Sequence, residues 1–364
     1  MKIYFDHASA QLPDEENIKV ISENLQKYSA NAENRHFGAY AVRQAQNEAL
    51  KKCISALDMQ LDANAVFFSS GSEIFRFLGD FLNTLPTGNI IANAAMHPAF
   101  IAMLKRTKHE VRMVKFNTAS ELDIDDLKEK CDKNTRLFAH FHVHSETGLI
   151  SDIENLRKTV KNINPEILFF ADTIQSFCKI PLPKADLWTA SGHKIGIAAS
   201  AALFYRKNSK YDFERIVFDY RHEDYLMGRP ESSMIISMLE CAAKYANIQN
   251  DNDFHFKNLQ KVIRENLPHG VTPTFPFERI APHILHLQMP PFDGAVVAGL
   301  LSERGIAVSP GSACTAEAKT PSAALKALNI KNPYSVLRLS FAAENTVEEC
   351  KFFCKILQDV LKNY

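Results

Sequence analysis

The chain has 364 residues, 42 Lys and Arg against 42 Asp and Glu, and a formal net charge of zero, which argues against a broad electrostatic grip on nucleic acid or on an anionic membrane. Hydrophobic residues make up 46% and charged residues 23%, which excludes a mostly disordered chain. No apolar run approaches the roughly 20 residues that a membrane span needs.

The first residues, MKIYFDHASAQLPDEE, contain no apolar signal region. From about residue 14 to 250, short β-rich runs alternate with helical patterns. AVFFSS (65–70) leads into a helical stretch through Leu82, and NIIAN (89–93) leads into PAFIAMLKR. VRMVKF (111–116) precedes LDIDDLKEK, and RLFAHFHV (136–143) precedes DIENLRKTVKNI. ILFFAD (167–172), DLWTAS (186–191) and AALFYRK (201–207) complete the set. Apolar runs of this length spaced by amphipathic helices predict an α/β fold: a mainly parallel sheet of seven strands, sandwiched by helices. Such sheets bind ligands beyond the carboxyl ends of their strands. A Met-, Ile- and Leu-rich helix over 232–248 reads as a connector. HILHLQM (283–289), a helix over 293–305, SVLRLSF (335–341) and a closing helix over 346–362 then predict a smaller α+β domain. The expected division is a large domain at 14–250 and a small one made of 1–13 and 251–364.

Cysteines stand at 53, 131, 178, 241, 314, 350 and 354 and form no CxxC pair. An odd count without a signal peptide predicts free thiols in a reducing cytoplasm, with room for one catalytic cysteine. Cys350 and Cys354, one helical turn apart, read as packing.

The strongest local signal is SGHK, Ser191 to Lys194, placed after the apolar strand DLWTA. A lysine just past a buried strand loses solvation, which disfavours its charge. Its neutral amine can form a Schiff base with an aldehyde. Asp172 closes the upstream strand ILFFAD. A strand-end carboxylate ahead of such a lysine is the pair pyridoxal phosphate needs, because the carboxylate keeps the pyridinium nitrogen protonated; the alternative for Asp172 alone is a cap or a salt bridge. SSGSE (69–73) sits between a strand and a helix, where backbone N–H groups can approach a phosphate, although ordinary capping gives the same pattern. His97 opens a helix; it either stacks on a cofactor and moves protons or caps that helix. His140, His142 and His144 alternate along one strand and share a face, a spacing that a metal site or a cofactor pocket could use.

The ordered set SSGSE, His97, HFHVHSETG, ADTIQ, SGHK, SPGSACT and SVLRLSF resembles the cysteine desulfurases, in the class V aminotransferase group of fold-type I pyridoxal phosphate enzymes. The resemblance runs from DHASA at residue 6 to the final helix. It implies that Lys194 is the Schiff-base lysine and Asp172 the pyridinium partner. It implies that Gln175 bonds the cofactor's phenolic oxygen and that His97 stacks on the ring. Ser191, His193, Gly71 and Ser72 would contact the phosphate, Arg338 would hold the substrate carboxylate, and Cys314 would attack the substrate sulfur. The loop around Cys314, SPGSACTAEAKTPS (309–322), is small and polar, as a mobile nucleophile requires.

Three positions depart from the family pattern. Ser145 stands where the family has an Asn that contacts cofactor and substrate. Glu73 replaces a phosphate-binding Thr, and an anion there is unfavourable. Arg229, in GRPE (228–231), replaces a Thr that reaches across a dimer to the phosphate, and an arginine could supply that contact. The expected activity is conversion of L-cysteine to alanine with a persulfide left on Cys314, in a cytoplasmic homodimer that passes sulfur to an acceptor protein. A selenocysteine lyase, an aminotransferase or a non-catalytic homologue are the alternative readings.

Overall fold

A computed structural model describes residues 2–59, 62–207, 210–223, 228–311 and 322–364. After a short strand β1 (Ile3–Tyr4), the seven apolar runs form β2 (Ala63–Phe68), β3 (Asn89–Asn93), β4 (Glu110–Val114), β5 (Thr135–Phe141), β6 (Leu168–Asp172), β7 (Leu187–Ser191) and β8 (Ala201–Arg206). They make one sheet in the order β2-β8-β7-β6-β5-β3-β4. β8 runs antiparallel to both its neighbours, and the other pairs are parallel.

A mainly parallel sheet is covered on both faces, and the side-chain alternation shows how. On β6, Leu168 and Phe170 enter one apolar layer with helices Gly71–Thr84 and Pro98–Leu104. Phe169 and Ala171 enter the opposite layer with helices Phe37–Ala56, Ile153–Ile163 and Ser232–Asn247. The last of these is more than the connector its sequence predicted. Ile235, Ile236, Met238 and Leu239 are buried, and the helix packs against Phe37–Ala56 as part of the covering layer. Its apolar positions are too many for one narrow stripe, which is the pattern of a helix covered on several sides.

The C-terminal strands are β9 (Thr272–Pro273), β10 (Ile284–Gln288), β11 (Ile306–Ala307) and β12 (Val336–Ser340). β12, β10 and β9 form an antiparallel sheet, while β11 pairs in parallel with β1. The N-terminus therefore enters the C-terminal half, and Asp6 bridges to Ser340. Leu285, Leu287, Leu337 and Leu339 join the same apolar layer as Leu168 and Phe170, so the two sheets share one core.

The turn after β7 is tightly packed. Gly192 N–H donates to Ser200 O at 2.8 Å, and Gly192 O accepts from Ile195 and Ile197. A Cβ at 192 would stand 2.1 Å from Ser200 Oγ and 2.3 Å from Ile197 O. Gly192→Ala is therefore expected to destabilise the fold by about 1–3 kcal/mol through overpacking, read as a lower urea midpoint at unchanged slope. An unchanged midpoint would show that the turn relaxes freely.

Candidate active site

The candidate side chains gather beyond the carboxyl ends of β3, β5, β6 and β7. β7 ends at Ser191, and the 3-10 turn Gly192–Lys194 swings the lysine back over the sheet edge. Lys194 Nζ donates to Ala8 O at 2.8 Å and to Ser9 O at 2.6 Å. Gln175 Nε2 donates to the same Ala8 oxygen at 3.0 Å. Gln175 Oε1 is buried and has no partner among the described residues. Between them lies a cavity of about 270 Å³ whose walls include Lys194, His97, Asp172, Gln175, Ser145 and Arg338. Gly71, Ser72, Ser191 and His193 also reach it.

Asp172 is the last residue of β6. Its Oδ1 accepts from Ile174 N–H at 3.1 Å and from Thr189 Oγ1 at 2.9 Å. Burial pushes its carboxyl up from the ordinary value, against the lowering influence of Ile174 N–H, His97, Thr189 and Lys194. His97 caps the helix Pro98–Leu104, its Nδ1 accepting from Ala99 N–H at 3.2 Å. That bond assigns the proton of the neutral ring to Nε2. Burial lowers the ring's proton affinity, partly offset by the Asp172 charge. Capping and a place in the cavity thus coincide in one residue.

Arg338, on β12, is 3% exposed. Its Nη2 donates to Asp6 Oδ1 at 2.6 Å and to Ser9 Oγ at 2.7 Å, and its Nη1 donates to Ser145 O at 2.9 Å. Nε remains buried without a partner among the described residues. Asp6, Ser9 and the backbone of Ala8 were not singled out in the sequence, and neither was Glu146, which lines the cavity as well. A carbonyl that receives a distant lysine leaves no local signature in the chain.

Two sequence-predicted residues are not brought to this cavity. Glu73 turns back on its own helix start: its Oε2 accepts from Ser69 N–H at 2.6 Å, while Ser70 Oγ accepts from Glu73 N–H. This carboxylate caps a helix instead of facing the pocket. Arg229 is exposed in a second cavity, of about 630 Å³, with Arg35, Arg43 and Arg221. Cys314 lies outside the described residues. The other six cysteines are buried and free, and Cys354 Sγ meets Ile263 O at 3.6 Å. Two of the alternating histidines bond locally, His140 with Asn93 and Ser151 and His144 with Thr147, while His142 Nδ1 is buried without a partner among the described residues.

The family model for aminotransferase class-V matches residues 3–353. The chain belongs to the aminotransferase class-V family. Among its curated relatives, the cysteine desulfurase IscS of Buchnera aphidicola subsp. Schizaphis graminum is 30% identical over 244 residues, which are 64% of this chain and 59% of that protein. The match thus spans less than two thirds of that relative's length. The cysteine desulfurase IscS of Dictyoglomus turgidum is 23% identical over 385 aligned positions, 99% of this chain and 95% of that protein. In fold, this class-V chain is similar to a solved NifS-like protein, with a TM-score of 0.87, full coverage of both chains and 20% identity. Among the described residues no helix is long and apolar enough to cross a membrane.

The buried imidazoles make stability depend on pH. Burial pushes His140, His144 and His286 down to about 3, and His7 and His142 down to about 4. Unfolded, these rings take a proton near the ordinary value of 6.5. Between that value and their folded ones the unfolded state binds more protons, so stability falls as pH drops. Each ring contributes at most about 1.4 kcal/mol per pH unit. The raised carboxyls of Asp172, Glu146 and Glu344 act oppositely, losing stability as pH rises above their ordinary values, but the lowered histidines, His283 among them, outnumber them. The urea midpoint is expected to fall from about pH 7.5 to about pH 5.5. A midpoint that holds or rises on acidification would contradict the neutral buried rings.

Proposed function

We propose that this chain is a pyridoxal-phosphate-dependent cysteine desulfurase, which takes L-cysteine to L-alanine and leaves the sulfur as a persulfide on Cys314. The single observation that carries this is the convergence of Lys194, Asp172, His97, Gln175 and Arg338 on one cavity in a class-V chain whose relatives are named cysteine desulfurases. The residues present fit the cofactor. Gln175 has a buried amide oxygen without a partner among the described residues, and the start of the helix Gly71–Thr84, the kind of helix end that leaves N–H donors over for an anion, lines the cavity. Lys194 would hold the cofactor's aldehyde carbon, Asp172 its ring nitrogen, and Gly71, Ser72, Ser191 and His193 its phosphate. When bound, pyridoxal phosphate supplies an electron sink that acidifies the substrate's Cα–H.

The chain's own groups do the rest. Lys194, pulled from the carbonyls of Ala8 and Ser9, would carry the proton from Cα. His97, with its proton on Nε2, would serve as a second proton carrier in the cavity. Arg338 would take the substrate carboxylate through the edge that Asp6 and Ser9 do not occupy. Cys314 Sγ, as thiolate, would bond to the substrate sulfur while the Cβ–S bond breaks. Residues 14–250 would then form the cofactor-binding domain, and 1–13 with 251–364 the domain that brings Arg338 and Cys314. In a cytoplasmic homodimer, Arg229 of the neighbouring copy would approach the phosphate end, and a sulfur-acceptor protein would unload the persulfide.

Two measurements test this. Borohydride reduction of the holoenzyme should fix the cofactor to the peptide containing Lys194; label on another lysine would overturn the assignment. Cys314→Ala should bind cofactor and cysteine normally but stop releasing sulfide in the presence of a thiol reductant. Sulfide release at the parent rate would move the protein out of the persulfide-forming class.

A further inference from the structure

Glu146 is not used by the reading above. It belongs to the turn after β5, where Gly148 N–H donates to His144 O at 2.9 Å and Gly148 adopts a positive φ of 73°. The turn delivers Glu146 into the same cavity as Lys194 and Arg338, yet the residue is only 4% exposed. Its Oε1 accepts from Ser322 Oγ at 2.7 Å. Its Oε2 is sealed from solvent and has no partner among the described residues. A buried acceptor left without a donor costs about 1–3 kcal/mol. Asp172, the other carboxylate on the cavity wall, already has Ile174 N–H and Thr189 Oγ1.

The neighbourhood identifies what the free oxygen meets. Arg338 donates to the carbonyl of Ser145, the residue next to Glu146, so a substrate held by its carboxylate at Arg338 lies beside this carboxyl. Gly311 faces it as well: a Cβ there would stand 3.6 Å from Oε2. In sequence, Gly311 stands two residues before Ala313 and three before Cys314. Burial raises the proton affinity of Glu146, while Ser322 and Arg338 lower it. His144 remains neutral beside them, pushed down to about 3 by burial. The carboxyl thus takes up a proton more readily than an exposed glutamate does.

We propose that Glu146 accepts the proton of the substrate's thiol through Oε2, an assignment that rests on the desulfurase reading. As the enzyme thiolate forms an S–S bond to the substrate sulfur, the Cβ–S bond breaks and its electron pair stays on carbon. The S–H proton passes to Glu146, which returns it to solvent on turnover, while that carbon takes up a proton through Lys194 and becomes the methyl group of alanine. The transferred sulfur is oxidised and the carbon reduced, so the step needs no outside oxidant. Unloading the persulfide as sulfide takes an added thiol.

The test uses the holoenzyme with cysteine and with selenocysteine, in dithiothreitol, with alanine as the readout. A thiol must be deprotonated at neutral pH, whereas a selenol is already ionised. Glu146→Gln keeps an acceptor for Ser322 but takes up no proton. It is expected to lower kcat on cysteine about a hundredfold with KM nearly unchanged, and to leave selenocysteine turnover within about threefold of the parent. Equal loss of both substrates, or parent-like turnover of cysteine, would overturn the assignment. Cofactor absorbance reports whether the variant loads. If it does not, Glu146→Asp, which retains a carboxyl, should preserve the parent's ratio of cysteine to selenocysteine turnover, and a collapse of that ratio would overturn the idea. A parent enzyme that makes no alanine from cysteine overturns the desulfurase reading itself, an outcome distinct from any result with the variant.

Discussion

Arg338 and the four residues Asp6 to Ser9 hold the site together. The guanidinium reaches from β12 to Asp6 and Ser9 on one edge and to Ser145 O on the other. Those few bonds join the start of the chain, the turn after β5 and the C-terminal sheet. The same N-terminal segment receives Lys194 on two carbonyls and Gln175 on one. Removing one partner of a buried pair leaves a charge stranded at a cost of several kcal/mol, so a buried arginine of this kind constrains every element that contacts it. The shared core of Leu285, Leu337 and Phe170 supplies the cohesion. The arginine supplies the register between the segments that it joins.

Much of the large sheet was legible because its strands are short apolar runs that bury both faces. NIIAN at 89–93 matches β3 at both ends, and ILFFAD differs from β6 by one residue. The helix Phe37–Ala56 was not singled out, since its buried Ala39, Val42, Leu50 and Ile54 are scattered among polar residues. Ser232–Asn247 was visible as a helix but not as a covering layer, because a wide apolar surface does not say what it faces. Lys194, Asp172 and His97 could be read because each sits at a strand end or helix start, where local pattern and chemistry coincide.

The residues that escaped reading share one property: their partners are far away in the chain and often main-chain. Asp6 and Arg338 are separated by 332 residues, and Lys194 and Ala8 by 186. Neither spacing nor composition encodes such a contact. Glu73 failed in the opposite way. By the family resemblance it would face a phosphate, but Ser69 N–H donates to it, and the helix start claims the carboxylate first. A side chain close in sequence to an unpaired backbone donor needs little chain ordering to reach it. Local capping therefore competes well against a role implied by resemblance.

That competition explains how a fold can persist at 20% identity with a TM-score of 0.87. The sheet order and the two covering layers depend on which positions are apolar, and many residues satisfy that condition. The site depends on something narrower: a few polar atoms must be delivered to one cavity and must not be consumed on the way. Asp172 reaches it with Oδ1 engaged by Ile174 and Thr189, and Glu146 with Oε2 unengaged. Glu73 does not line it at all, since its carboxylate is engaged at the helix start. Which carboxylates are left to face the cavity is thus decided by the hydrogen bonds made within the fold. Drift elsewhere in the chain leaves those bonds untouched as long as the strand ends keep their places.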